Sequence, residues 1–223
     1  VTGNTTLILA AITDPAEWSG NNGTRQPLGR PIETFTCDAT ILDTGDVAIT
    51  GANSDATEQF SFVLLEEVNA GTEINFTDGG WLAGGGFRAY NFTNANPSAA
   101  GVVVESETGF ELGGADQIIV FQRTITTPKF LYALHFGNNL GWSADATNGA
   151  TSTVPAGLTD GIDAVAVDNN LDNIIYNYSV TNNQSLILAA LVDPGNWGGD
   201  NTTPQTLGRP IGTFSCTTPG DCF

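Results

Sequence analysis

The hydrophobic pattern of this chain consists of short runs broken by polar turns. Phe60-Ser61-Phe62 alternates with a period of two, the mark of a strand with one face buried. Gln117–Arg123 and Phe130–Phe136 are almost continuously apolar, as inner strands covered on both faces are. Strands are predicted over Val47–Thr50, opened by Gly45-Asp46, and over Phe60–Leu65, Glu73–Thr77, Val102–Glu105, Gln117–Arg123, Phe130–Phe136 and Asp163–Val167. Asp78-Gly79-Gly80 and Gly113-Gly114 supply turn signals between them. No long amphipathic helical period appears, which disfavours a βαβ or doubly wound fold. The expected fold is all-β, a β-sandwich with two small helical corners.

One segment occurs twice. Residues 4–37 (NTTLILAAITDPAEWSGNNGTRQPLGRPIETFTC) and 183–216 (NQSLILAALVDPGNWGGDNTTPQTLGRPIGTFSC) align without a gap at an offset of 179, with 21 of 34 positions identical. Thr6 and Ser185 are N-cap residues for the short apolar stretches LILAAI and LILAALV. Asp14-Pro15-Ala16-Glu17 reads as a second helical start, with Asp as cap, Pro in the first position and Glu at the capping-box position. Asp193-Pro194-Gly195-Asn196 keeps the cap and lacks the box. Trp18 and Trp197 anchor the turn, and Leu-Gly-Arg-Pro-Ile leads into a short strand that closes on a cysteine. Arg30 and Arg209 read as local salt-bridge or carbonyl partners, not catalytic groups. The expected division is an N-terminal element with its linker (Asp38–Thr44) over residues 1–44, then a β-sandwich domain over 45–223 that ends in the second copy. Leu7, Trp18, Arg30 and Phe35, with their counterparts Leu186, Trp197, Arg209 and Phe214, are the candidate assembly residues.

Composition narrows the function. With 40% hydrophobic residues in 223, a core forms without help from disulfides. Six basic residues face 24 acidic ones, for a net charge of −18. Nucleic acid and anionic membrane surfaces are repelled by that balance, and free subunits are kept apart. The longest apolar runs, Leu7–Ile12 and Leu186–Val192, fall far short of the ~20 residues that span a bilayer. There is no methionine, so a mature chain that has shed its initiator and a leader is expected. Low Lys content and abundant Asn and Thr fit an extracellular or cell-surface location.

The chemistry on offer is sparse. The single histidine, His135, sits inside the apolar strand FLYALHF and reads as a packed residue, leaving no Ser or Cys triad. Glu66-Glu67 and Glu105/Glu107 are carboxylate pairs by type, yet strand neighbours point to opposite faces. An enzyme is not expected, and no organic cofactor is implied. Calcium is the one ion the pattern suggests, through Asp160, Asp163, Asp168 and Asp172 with nearby Asn169, Asn170 and Asn173. Hard oxygen ligands crowd there, with a solvated acidic loop as the plainer reading. Cys216 and Cys222 flank Thr-Thr-Pro-Gly-Asp and permit a small disulfide loop, leaving Cys37 free or bridging chains. Alternatively Cys37 pairs with Cys216 or Cys222, or all three remain thiols. Glycosylation sequons fall at Asn4, Asn22, Asn75, Asn91, Asn177, Asn183 and Asn201. Trp81, Phe87 and Tyr90 beside Gly84-Gly85-Gly86 are aromatic candidates for a glycan contact.

The stretches GDVAITGANSDATEQFSFVLLEEVNAGTEINFTDGGW, GFELGGADQIIVFQ and GLTDGIDAVAVDN, with the LILAALVDPGNW end, together resemble a domain of bacterial surface and secreted proteins that sometimes occurs in tandem. Its Gly-Trp turn and later GFxLxxxxDxIxVF segment are distantly similar to lamin-tail, immunoglobulin-like sandwiches. The resemblance spans residues 45–216. It implies an extracellular immunoglobulin-like β-sandwich without catalytic residues, in which residues 4–37 correspond to the tail of a preceding repeat. The function expected is a structural subunit of a filament, sheath or surface layer, joined head to tail to copies of itself through its terminal elements. The competing expectation is an adhesion or ligand-binding module of a tandem-repeat cell-surface protein.

Overall fold

The computed structural model describes residues 38–55, 57–88, 110–137, 141–167, 170–178, 184–209 and 211 in full, and the backbone of 92–95 and 103–105. These form two five-stranded sheets with a single α-helix among the described residues. The strands are β1 (Val47–Asn53), β2 (Gln59–Leu64), β3 (Ile74–Thr77), β4 (Phe92–Ala95), β5 (Val103–Glu105), β6 (Asp116–Gln122), β7 (Lys129–Phe136), β8 (Ala164–Val167), β9 (Asn173–Tyr176) and β10 (Trp197–Asp200). The helix α1 covers Gln184–Leu191, and a 3-10 turn over Pro194–Asn196 leads into β10. The first sheet runs β10-β9-β1-β2-β5 and is antiparallel throughout. The second runs β4-β3-β6-β7-β8, with β8 parallel to β7 and the other pairs antiparallel.

The period-two rule sorts the second sheet's residues onto two faces. Ile118 and Val120 of β6 point into the main core, which also takes in Val47, Phe60, Phe76 and Tyr132. Ile119 and Phe121 point the other way, into a smaller cluster with Phe130 and Leu158, against which Trp81, Phe87 and Trp142 pack. Burial on both faces is why β6 and β7 read as continuous apolar runs. The aromatic rings of Phe60, Phe62 and Phe76 meet at centroid separations of 4.8–6.5 Å, a spacing at which rings attract beyond simple burial.

β1 is buried at all seven positions although it contains Gly51 and Thr50. Its hairpin with β2 carries a bulge between Ile49 and Gly51, and the Thr50 and Ser61 hydroxyls join across the strands at 2.8 Å. Most expected strands coincide with observed ones to within a residue or two. β4, β9 and β10 were not anticipated. Residues 38–44, expected as a linker, are packed onto the body: Leu42 is fully buried and its amide donates to Gln122 Oε1 at 2.9 Å. Thr40 N donates to Thr72 Oγ1 at 2.8 Å, and Gly45 N to the Leu131 carbonyl at 2.8 Å. His135 is fully buried on β7, its ring 5.5 Å from that of Trp142 and its Nε2 3.2 Å from the Ala150 carbonyl.

Candidate assembly site

The second copy of the repeat is not an appendage. Residues 184–211 form a helix, an edge strand and a returning strap, and together they complete the first sheet. The helix begins at Gln184, so Ser185, expected as its cap, lies inside the first turn. Ile187 and Leu191, four apart and therefore on one face, are fully buried in the main core. Leu188 lies over Gly45, where a Cβ would stand 2.6 Å from its Cδ2. Leu186, the expected assembly residue, is on the far side and 56% exposed.

The last carbonyls of a helix have no partner within it. Here side chains supply the partners. The Trp197 indole N–H donates to the Leu191 carbonyl at 2.9 Å, and Asn196 Nδ2 donates to the Ala190 carbonyl at 2.9 Å. Asp193 caps the following turn as expected, its Oδ1 accepting from Gly195 N at 2.9 Å with Pro194 in the first position. Trp197 is 7% exposed, its ring edge-on to Tyr176 at 6.0 Å.

β10 then pairs with β9 in the register Trp197 to Tyr176, Gly198 to Ile175, Gly199 to Ile174 and Asp200 to Asn173. At Gly199 a Cβ would stand 1.9 Å from the Asn173 carbonyl oxygen, so the position admits only glycine. Asp200 turns the chain by accepting from Thr202 Oγ1 at 2.8 Å and from the amides of Thr202 and Thr203. Those donors, the Thr202 hydroxyl first, hold its carboxyl below the ordinary carboxylate range.

The strap returns along β1. Gln205 and the buried Asn53 exchange two hydrogen bonds, N to Oδ1 at 2.7 Å and Nδ2 to the Gln205 carbonyl at 2.9 Å, so the amide side chain acts as one more rung of a ladder. Leu207 fills the space above Gly51, where a Cβ would stand 2.7 Å from Leu207 Cδ2. Arg209 Nη1 donates to Asn177 Oδ1 at 3.3 Å, a side-chain partner 32 residues back rather than a local one. The fully buried Asn173 ties the junction together, its Nδ2 donating to Asp55 Oδ2, Asp172 Oδ1 and the Asp200 carbonyl at 2.8–3.1 Å.

Other candidate positions are scattered. Among the described residues no group of three or more His, Cys, Asp or Glu is placed to hold a metal ion. Asp160 Oδ1 accepts from the Trp142 indole at 3.0 Å, and Asp163 Oδ1 accepts from Thr159 N. Asp172 lies instead with Asp55 and Asp200; partial desolvation raises its carboxyl, and the charges of Asp55 and Asp200 add to it. The acidic run is thus divided among separate turns rather than gathered, and Asp168 lies outside the described residues.

Asn75 drops out as a glycan acceptor: it is 7% exposed in β3, with its Nδ2 donating to the Arg123 carbonyl at 3.1 Å. Asn177 and Asn201 are exposed. Asn4, Asn22, Asn91, Asn183, Leu7, Trp18, Arg30, Phe35, Phe214, Tyr90 and all three cysteines (Cys37, Cys216, Cys222) lie outside the described residues.

Among the described residues, two hollows are found on the second-sheet side. Trp81, Gly86, Phe87, Ile125 and Thr126 line an open one of about 330 Å³, but Trp81 packs edge-on against both Phe87 and Phe130. Asp78, Arg88, Glu111 and Asp116 line the other, of about 200 Å³. Burial pushes the Asp116 carboxyl up to about 8, against the pull of the Gly113 and Gln117 amides that donate to it.

Sequence reasoning found the repeated segment and missed its seat. Gly51 and Asn53 bear no motif, Asn173 and Asn177 stood out only as a cation ligand and a sequon, and their partners are far along the chain. Comparison of the chain with protein-family models, curated proteins and solved structures gives no match.

Proposed function

We propose that this protein is a structural subunit of an extracellular filament, sheath or surface layer, with an immunoglobulin-like β-sandwich body, and that copies join head to tail through their terminal elements. One observation carries the reading. Residues 184–211 supply an edge strand to the first sheet and a cover to its central strand β1, and residues 5–32 repeat most of that segment's sequence. Each body thus has one seat, and each chain has two segments that match it. In this reading the first copy is the segment that seats on a neighbour. A contact between unlike surfaces propagates into a filament unless its rotation closes a ring. The net charge of −18 opposes this at low salt, so cations that screen it favour assembly.

Electron microscopy of the purified full chain beside a variant lacking residues 1–37 tests the reading. Filaments or sheets from the full chain alone are expected; a deletion variant that polymerises equally well overturns it. The aromatic hollow at Trp81 and Phe87 favours the second reading, an adhesion module. Dispersed monomers that bind a glycan array, and lose that binding in Trp81→Ala, decide for it.

A further inference from the structure

We infer that the joint is an exchange, in which residues 7–32 of one copy seat on the first sheet of a second copy in place of that copy's residues 186–211. This rests on the filament reading and names its contact. Two features of the seat select its occupant, and the first copy of the repeat meets both. The position opposite Ile174 admits only glycine, because a side chain there would run into the Asn173 carbonyl; the first copy has Gly20. The space above Gly51 takes a leucine, and the first copy has Leu28. Within the segment itself, the Leu191 carbonyl takes an indole N–H six residues on, and Ile12 and Trp18 keep that spacing.

Where the copies differ at the seat, most differences are ones it accommodates. Ser19 replaces Gly198, where a Cβ would meet only the end of the Asn177 side chain. Asn21 replaces Asp200 and removes one of the two charges that press on Asp172. Two changes weaken the fit: Thr13 replaces the buried Val192 and puts a hydroxyl into the core, and Glu17 replaces Asn196 and lacks the N–H that meets the Ala190 carbonyl.

Exchange leaves the number of filled seats unchanged. The chain's own C-terminal segment holds the seat with an effective concentration of about millimolar, so exchange grows with subunit concentration. It is also slow, because β10 and the strap must detach before a neighbour's strand adds to β9 by backbone pairing.

The test uses the full chain and two substitutions. Gly20→Val is expected to leave a folded monomer with the wild-type melting temperature and to abolish filaments. Gly199→Val spoils the chain's own segment while leaving Gly20 intact. It is expected to show native circular dichroism only as an oligomer, with a melting temperature that rises over a tenfold increase in concentration. The double variant is expected to remain unfolded throughout. Filaments of Gly20→Val indistinguishable from wild type, or a Gly199→Val chain unfolded at every concentration, overturn the exchange and leave the filament reading standing. A wild-type chain that sediments as a monomer at every concentration overturns both.

Discussion

Replacing Trp197 by alanine measures how far the body depends on its terminal segment. The indole is 7% exposed, sits against Tyr176 and donates to the Leu191 carbonyl. A tryptophan buries about 150–250 Å², and at about 25 cal/mol per Å² its removal forfeits roughly 4–6 kcal/mol. Partial collapse of the cavity returns some of this, and measured Trp-to-Ala costs centre on about 3–5 kcal/mol. The conservative Trp197→Phe keeps most of the area and loses the N–H. Only the longer bond from Tyr132 Oη, at 3.4 Å, then remains on that carbonyl, for a cost of about 1–2 kcal/mol. Urea unfolding of the full chain, followed by far-ultraviolet circular dichroism, gives both numbers from the midpoint at constant slope. The melting temperature of Trp197→Ala is expected to fall by about 6–20 °C, at about 2–4 °C for each kcal/mol. Trp18→Ala, the same change in the other copy, serves as the control and is expected to leave the monomer's midpoint within ~0.5 kcal/mol. A Trp197→Ala chain within 1 kcal/mol of wild type, a cost far below that of a buried core aromatic, would refute the reasoning, because it would make residues 184–211 dispensable to the fold.

Other expectations concern the body. Asp116 at about 8, with Asp46, Asp163 and Asp172 also raised, means that the folded chain binds more protons than the unfolded one between about pH 4 and pH 8. Stability therefore falls as pH rises through that window, and Asp116→Asn flattens the slope; urea midpoints at pH 4.5, 6 and 8 that climb with pH contradict this. Gly137, at φ +84°, has the Gly114 carbonyl oxygen 2.0 Å from where a Cβ would be. Gly137→Ala is expected to cost more than ~2 kcal/mol, whereas Gly84→Ala, with nothing within 4 Å, changes stability by less than ~0.5 kcal/mol; paired melting curves check the contrast.

The strands legible in the sequence were those whose own residues say enough. β6 and β7 are seven and eight residues long and apolar on both faces because both faces are covered, a signal that needs no partner to be read. β9 is only Asn-Ile-Ile-Tyr, flanked by Asp172 and Asn177, and its acidic surroundings drew attention to cations instead. β10 is Trp-Gly-Gly-Asp, whose glycines look like a turn. Gly199 is there for a different reason, the closeness of the Asn173 backbone, and only the folded chain shows that neighbour. The same holds for Leu42: an isolated leucine in a polar stretch gives no sign that it lies in the main core. The repeat itself was plain, because identity between two segments is a property of the sequence alone. Its seat was not, because Asn53 and Gln205 are 152 residues apart and neither carries a local pattern.

That separation bears on how the chain is made. Closing a loop of 152 residues costs about 4 kcal/mol of chain entropy before the Asn53–Gln205 pair returns anything, which places this contact late in folding. During synthesis the second sheet and strands β1, β2 and β5 leave the ribosome well before residues 184–211. At about 5–20 residues per second those 28 residues take roughly 1–6 s to appear. Through that interval β9 is a bare edge and the outer side of β1 is uncovered, so the nascent body is most exposed to mispairing just before its last strand arrives.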